Sequence, residues 1–273
     1  PTGEVLKDVT WEIKQGDRIG LVGVNGAGKS TQLKIIAGLE EASGGKVLRQ
    51  GNPMISYLKQ EFDVDNGNTI REELFKAFKD ASFLLKQIRE IEMKMVTKRA
   101  KEDSKYLDIL ILKLGNFQAQ FEAMHGYELE AKIEKILPKL GFNLADSESF
   151  VGDYSGGWQM RIALGKILLQ DPDIILLDEP TNHLDLDTVS WLEDYLVNQT
   201  AAIVVISHDR TFLDRICTQI VSTERGISRS YVGNYSNFIE FQKIERESVQ
   251  AAFDRQQKEL ASQQEYVDRF RAS

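Results

Sequence analysis

The chain has 273 residues, 42% of them hydrophobic, and a formal net charge of −8. That is enough apolar material for one large domain or for a domain carrying insertions, and no window approaches the run of about 18 uncharged apolar residues that a membrane helix needs. The acidic balance argues against indiscriminate nucleic-acid binding by the whole surface but leaves room for a local basic patch. The single cysteine, Cys217, excludes an internal disulfide and reads as ordinary core.

The N-terminal PTGEVLKDVT carries neither a signal-peptide core nor a transit-like composition. Both ends fall inside expected elements, so the chain reads as an excerpt of a longer protein. Val5–Ile13 alternates apolar and polar residues as a half-buried strand does, and Lys14-Gln15-Gly16-Asp17 turns. Ile19–Val22 then reads as a buried strand. Directly after it, Gly23-Val24-Asn25-Gly26-Ala27-Gly28-Lys29-Ser30-Thr31 satisfies G-x-x-x-x-G-K-S/T and runs into an amphipathic helix, with Ser43-Gly44-Gly45 closing that region. Glycines at 23, 26 and 28 let successive backbone N–H groups point at a polyphosphate, Lys29 reaches its terminal phosphates, and Ser30 suits magnesium. ATP or GTP is the expected ligand.

Met54–Lys59 reads as a further strand leading to Gln60, whose amide suits either a magnesium site or plain solvation. From Asn68 to Leu140 the pattern turns helical. Thr69 is placed to cap a helix through Leu74, Phe75, Phe78, Leu84, Leu85, Ile88, Ile91 and Met95, and Tyr106–Phe121 supplies a second, so a helical hairpin is expected. Between them, Lys94, Lys98, Arg99, Lys101 and Lys105 face only Glu102 and Asp103, five cations against two acids and a local charge of +3. Such a tip suits a phosphate backbone, or simply solvent. His125 reads as an ordinary surface or packing histidine.

The stretch Tyr154–Asp187 organises the remainder. Ser155-Gly156-Gly157 opens a helix whose N–H groups can face an anion, Asp171-Pro172-Asp173 closes it, and Ile174–Leu177 is an unbroken apolar run suited to a strand covered on both faces. That strand delivers Asp178 and Glu179 to one edge, where two acids need a cation or polar partners. Thr181–Asp185 makes a polar turn before a helix through Val189, Trp191, Leu192, Tyr195 and Leu196. Ala201–Ile206 is another buried strand, ending in Ser207-His208-Asp209. In a parallel sheet His208 joins the phosphate loop and Asp178 at the strand carboxyl ends. From Ser236, helical spacing at Phe238, Phe241, Ile244, Phe253, Leu260, Val267 and Phe270 runs through dense mixed charge.

GVNGAGKS, Gln60, YSGGW, IILLDEP, NHLD and SHD, in this order and spacing, resemble the phosphate loop, glutamine loop, signature, Walker B, D-loop and histidine switch of an ABC ATPase. SGGW-QMR, the DEPTNHLD wording, the helical insertion and the charged final helix are similar to the ABC-F family of ribosome-associated translation factors, with the plastid and cyanobacterial-like members nearest. The resemblance implies an α/β P-loop NTPase fold: a mostly parallel core sheet, an antiparallel β subdomain, and an inserted α-helical subdomain with an arm hairpin. It implies the divisions 1–65 (core with the phosphate loop), 66–150 (helical subdomain and arm), 151–235 (core with signature, Walker B and switch) and 236–273 (start of an interdomain linker helix).

The same resemblance implies roles. The backbone of Gly23–Thr31 and Lys29 would hold ATP; Ser30, Gln60 and Asp178 would hold Mg2+; Glu179 would orient the attacking water; and His208 would contact the terminal phosphate. Ser155, Gly156, Gly157 and Asp185 would complete the pocket of a partner, either a second ABC domain or a second copy of the chain. On the residues alone the glycines belong to one local phosphate site; the resemblance moves them to another domain's nucleotide. A single chain is then expected to hydrolyse ATP slowly unless two pair.

Tyr154 and Trp158 depart from the Leu and Gln usual in transporters. One phosphate loop and one signature are present where the family carries two of each, and the adenine-stacking aromatic is expected upstream of Pro1. The implied partners are the ribosome, with rRNA and tRNA met through Lys94–Lys105 and 236–273, without membrane insertion. The implied location is intracellular, cytoplasm or plastid stroma, with any targeting segment ahead of Pro1. The competing reading is the nucleotide-binding subunit of a membrane transporter.

Overall fold

The computed structural model of the protein describes residues 5–59, 64–182 and 184–271, the side chains of 259 and 262–271 excepted. Strands β1 (Arg18–Val22), β2 (Ile55–Leu58), β3 (Ile174–Asp178), β4 (Ala202–Ile206), β5 (Gln219–Glu224) and β6 (Ile227–Val232) form one sheet in the order β2-β3-β4-β1-β5-β6. Neighbours pair parallel, except for the antiparallel β5–β6 hairpin. The helices are α1 (Lys29–Ala37), α2 (Ile70–Phe75), α3 (Lys79–Met95), α4 (Lys98–Glu102), α5 (Ser104–Ala123), α6 (Gly126–Ile136), α7 (Gly156–Leu168), α8 (Leu186–Val197), α9 (Arg210–Ile216) and α10 (Tyr235–Arg271).

The unbroken apolar runs are strands with both faces covered. Ile175, Leu177, Ile203 and Val205 pack on one side, in a core shared with α7, α8 and α9. Leu176, Val204 and Ile206 alternate to the other side and meet Ile19, Leu21 and Leu33 of α1. Each such side chain contributes roughly 1.5–3 kcal/mol by leaving water. At the opposite end of the sheet from the loops that follow β1 and β3, Arg18 donates to the carbonyls of Leu196 (2.5 Å), Val197 (2.9 Å) and Gln199 (2.7 Å), closing the C-terminus of α8. Cys217 is buried in the first core, and burial pushes its thiol up to about 12.

The alternation in Val5–Ile13 does not produce a strand. Trp11 and Ile13 do pack onto the α1-side core, and Lys7 N–H bonds Gly226 O at 2.7 Å, but among the described residues this stretch joins no ladder of the sheet. Antiparallel pairing among the described strands is therefore confined to β5–β6. The first helix also ends earlier than the Ser43–Gly45 cluster suggests. Gly38 adopts φ 75 and returns its N–H to Ile35 and Lys34, a C-cap that stops α1 at Ala37.

The helix expected from Thr69 is two helices. Thr69 makes a capping box with Glu72, but Phe78 leaves helical geometry at φ −112, ψ 80, and the chain restarts as α3. The break lets Phe75 pack on Phe121 at 6.0 Å while Phe78 meets Phe75 edge-on at 6.1 Å. α3 and α5 then form the hairpin, with α4 at its tip and Ile91, Ala100 and Leu110 as a small separate core. The neck is a backbone clasp: Ile70 N–H to Ser149 O and Val151 N–H to Asn68 O. α10 docks through Phe238 against Tyr231 of β6, with Tyr235 of its own first turn alongside, and beyond it Phe241, Ile244, Phe253 and Leu260 are exposed. No helix among the described residues is long and apolar enough to cross a membrane.

Candidate functional site

The chain leaves β1 at Val22, turns through Gly23–Gly28 and enters α1. Gly28 is the N-cap at φ 90, a left-handed backbone that disfavours a side chain at this position, and a Cβ there would also press on Leu6 Cδ2 at 2.6 Å. No side chain caps α1 and no acid sits in its first turn, which leaves the N–H groups of Lys29, Ser30 and Thr31 for an anion. Val24, Asn25 and Gly26 form the exposed rim and Ala27 the buried base. Lys29 Nζ donates to Gly23 O (2.9 Å) and Val24 O (3.2 Å), holding its ammonium across the loop. Behind the loop, Gln32 accepts from Trp11 Nε1 (2.9 Å) and donates to Thr223 Oγ1 (3.0 Å), which pairs with Ser228 (2.8 Å). This buried polar chain ties α1 to β5 and β6.

Asp178 ends β3 beneath that loop. Its carboxylate accepts from Ser30 Oγ at 3.2 Å and from Tyr57 Oη at 3.0 Å and is nearly buried. Burial, with the adjacent Asp178 carboxylate, pushes the Tyr57 phenol well up, so it remains a donor. Among the described residues no group of three or more His, Cys, Asp or Glu could hold a metal. One hydroxyl and one carboxylate instead suit a hard cation that takes its other ligands from phosphate and water.

Glu179, the next residue, sits at φ 52, a left-handed backbone costing a non-glycine residue about 1–2 kcal/mol. Its N–H bonds Ile206 O (2.9 Å), pinning it to the end of β4. Its carboxylate accepts from the His208 N–H (3.1 Å) and lies 3.3 Å from His208 Nε2. The Glu179 side chain is 8% exposed and that of His208 63%, so a buried acid is paired with an imidazole that reaches solvent. Ser207 beneath them bonds Thr181 Oγ1 at 3.0 Å, while Asp209 caps α9. The parallel register of β3 and β4, Asp178 opposite Ile206, is what sets Glu179 beside His208.

Ser155, Gly156 and Gly157 lie elsewhere. Ser155 is the N-cap of α7, and a Cβ on Gly157 would lie 2.7 Å from Thr188 Oγ1 and 3.1 Å from Asp185 Oδ2. Asp185 caps α8 through Thr188 N–H (2.8 Å), and that bond holds its carboxyl below the usual range. The two segments thus stand side by side, and among the described residues no hydrogen bond joins Ser155–Gly157 to the phosphate loop. Gln60 lies outside the described residues, as does His183 of the NHLD turn.

Tyr57 was not singled out by its sequence; its place opposite Leu176 in the β2–β3 register is what aims it at Asp178. At the arm tip, Lys94, Lys98, Arg99, Lys101 and Lys105 are all exposed. Arg99 lies 4.5 Å over the Tyr106 ring and Lys98 pairs with Glu102 at 3.7 Å.

Two family models described as ABC transporter match residues 6–182 and 221–273. The Arabidopsis thaliana protein "ABC transporter F family member 5" is 46% identical over 98% of this chain and 39% of its own length. "Energy-dependent translational throttle protein EttA" of Mycobacterium tuberculosis is 36% identical over 96% of this chain and 46% of its own length. The chain thus spans less than half the length of these relatives. A solved structure titled "Dimeric Structure of MJ0796, a Bacterial ABC Transporter Cassette" superposes with a TM-score of 0.58 at 22% identity, over 84% of this chain and 90% of that one, which speaks to the fold. With the phosphate loop, Asp178, Glu179 and His208 on one sheet edge, the chain belongs to the ABC ATPase family, in its F branch, and carries that family's nucleotide-binding domain.

Proposed function

We propose that this domain hydrolyses ATP as part of a ribosome-associated translation factor, in a head-to-tail sandwich with a second ABC domain or a second copy of the chain. The observation that carries the reading is the separation just described: loop, acids and imidazole share one sheet edge, whereas Ser155–Gly157 packs beside Asp185. In this reading 1–65 and 151–235 are the ATP-binding core, 66–150 the helical subdomain with its arm, and 236–273 a linker helix. The relative named as a translational throttle supports the ribosomal role.

Backbone N–H groups of Gly23–Thr31 and the Lys29 ammonium hold the β- and γ-phosphates, the ammonium exchanging the carbonyls of Gly23 and Val24 for phosphate oxygens. Ser30, Asp178 and Gln60 hold Mg2+, which when bound neutralises charge on the phosphates. Tyr57 keeps the Asp178 carboxylate oriented. Glu179 accepts a hydrogen bond from the attacking water and aims it in line, and His208 donates to the γ-phosphate as charge develops there. Ser155, Gly156, Gly157 and Asp185 do the corresponding work on the partner's nucleotide. The exposed cations of Lys94–Lys105 and the outer part of α10 meet rRNA and tRNA.

The test is co-sedimentation of the full-length protein carrying Glu179→Gln with ribosomes. ATP-dependent trapping on ribosomes is expected; recruitment to membranes without ribosome binding sinks the reading in favour of a transporter subunit.

A further inference from the structure

The indole that replaces the usual signature glutamine has a partner. Trp158 lies on α7 one turn before Arg161, and the Arg161 guanidinium carbon sits 4.4 Å from the Trp158 ring centroid on one side and 4.6 Å from that of Trp191 on the other. Trp191 belongs to α8, so the guanidinium bridges the helix begun by Ser155–Gly157 and the helix capped by Asp185. The stack is held from a third side. Trp191 Nε1 donates to Lys139 O (3.2 Å) and Arg161 Nη1 to Leu140 O (3.4 Å), successive carbonyls in the 137–140 turn, and Phe142 packs on Trp158 at 4.8 Å.

Arg161 is nearly buried and its Nε has no hydrogen-bond partner. A buried donor left unsatisfied is costly. Besides the Leu140 carbonyl, the two rings are therefore its main partners, and a guanidinium over aromatic rings is a contact that Lys does not reproduce. Burial pulls the guanidinium's proton affinity down, while Asp185 and Asp187 act against that. Asp185 thus feels the same cation that stacks beneath the signature, and the near-contact of Gly157 with Thr188 and Asp185 leaves no slack between the two helix starts.

We propose that Arg161, clamped between Trp158 and Trp191, is a positioning residue that locks Ser155–Gly157 and Asp185 into one rigid unit, so that both groups meet the partner's nucleotide together. The inference rests on the sandwich reading above. Among the described residues the contacts of Arg161 are with Leu140, Trp158 and Trp191, none of them in this chain's own phosphate loop, so its loss is expected to leave ATP binding to that loop intact. The effect falls on turnover, where a small misplacement of a positioned group is expensive.

The experiment compares the full-length wild type with Arg161→Lys, Trp191→Ala, Trp191→Phe and, as a control for the sandwich itself, Gly157→Arg. For each, kcat and KM for ATP are measured alongside amide hydrogen exchange of residues 155–158 and 185–188. Arg161→Lys and Trp191→Ala are expected to lower kcat about tenfold or more with KM changed less than about twofold, and to accelerate exchange in both segments together. Trp191→Phe, which keeps a ring and folds with a smaller disturbance, is expected to recover kcat to within about threefold. An unchanged kcat in Arg161→Lys, or faster exchange in only one of the two segments, overturns the inference. If Gly157→Arg turns over like the wild type the sandwich reading fails instead, and the paired exchange result still decides whether Arg161 joins the two helix starts.

Discussion

The sheet edge and the α7–α8 surface are both built from short polar motifs at helix or strand ends, yet they are finished differently. At the edge, the functional groups close on one another: Ser30 and Tyr57 on Asp178, His208 on Glu179, Lys29 on its own loop carbonyls. At the α7–α8 surface the supporting groups are closed, with Asp185 on Thr188 and Arg161 between two indoles, but Gly156 has nothing within 4 Å of where a side chain would be. A site that satisfies itself is organised by its own chain. In the proposed sandwich, the open backbone beside a fixed carboxylate is the part left for a partner's nucleotide.

The largest expected effect breaks the edge alone. Glu179→Gln keeps the shape and the His208 N–H contact but removes the charge, and turnover of the full-length protein should fall by about 10²–10⁴-fold, the usual contribution of a positioned base, with ATP affinity little changed. Steady-state ATPase assays with nucleotide-binding titrations check it.

The next strikes the support beneath α7. Glu73 on α2 is only 1% exposed and accepts from Lys166 of α7 (2.5 Å), Lys76 (2.8 Å) and Asn68 (2.9 Å). Burial alone would raise its carboxyl; these donors outweigh that and hold it low. Glu73→Ala removes a buried acceptor shared by Lys166, Lys76 and Asn68 and should cost about 1–3 kcal/mol, read by denaturant unfolding.

The pH dependence sharpens this. Because the folded pKa lies below the unfolded one, the stabilisation is full above about pH 4.3 and is lost as pH falls through the lower folded value. The acid limb of Tm against pH should therefore be shallower in Glu73→Gln than in the wild type; parallel limbs would contradict it.

Smaller still, Tyr57→Phe strips one donor from a buried carboxylate. It should destabilise by about 1–2 kcal/mol and weaken the response of turnover to Mg2+, with thermal melts and a magnesium titration as the measurements.

Much of the edge is legible in the sequence because each of its parts is local. The loop is one contiguous motif, Ile174–Leu177 has the pattern of a strand covered on both faces, and Asp178 and His208 come one and two residues after apolar runs of strand length. What depends on approach between distant segments is not legible. Tyr57 reaches Asp178 only through the β2–β3 register, Gln32 meets Thr223 across the sheet, and Arg161 finds Trp191 thirty positions along the chain. Local pattern misleads where tertiary partners are missing or compete. Val5–Ile13 alternates like a strand yet joins no ladder of the sheet, and the helix from Thr69 breaks at Phe78 so that Phe75 and Phe78 both reach buried rings. The β5–β6 hairpin and α9 are not expected from the sequence, and α6 falls inside the stretch that reads only as helical in general.

The claim that the two regions serve different nucleotides is tested most directly by the ATPase rate per molecule of this 273-residue chain as a function of its concentration, with mass measured by light scattering in the same samples. Negligible turnover by the monomer, rising only as two copies associate, is the predicted result; robust turnover by a verified monomer, unchanged on dilution, would contradict it.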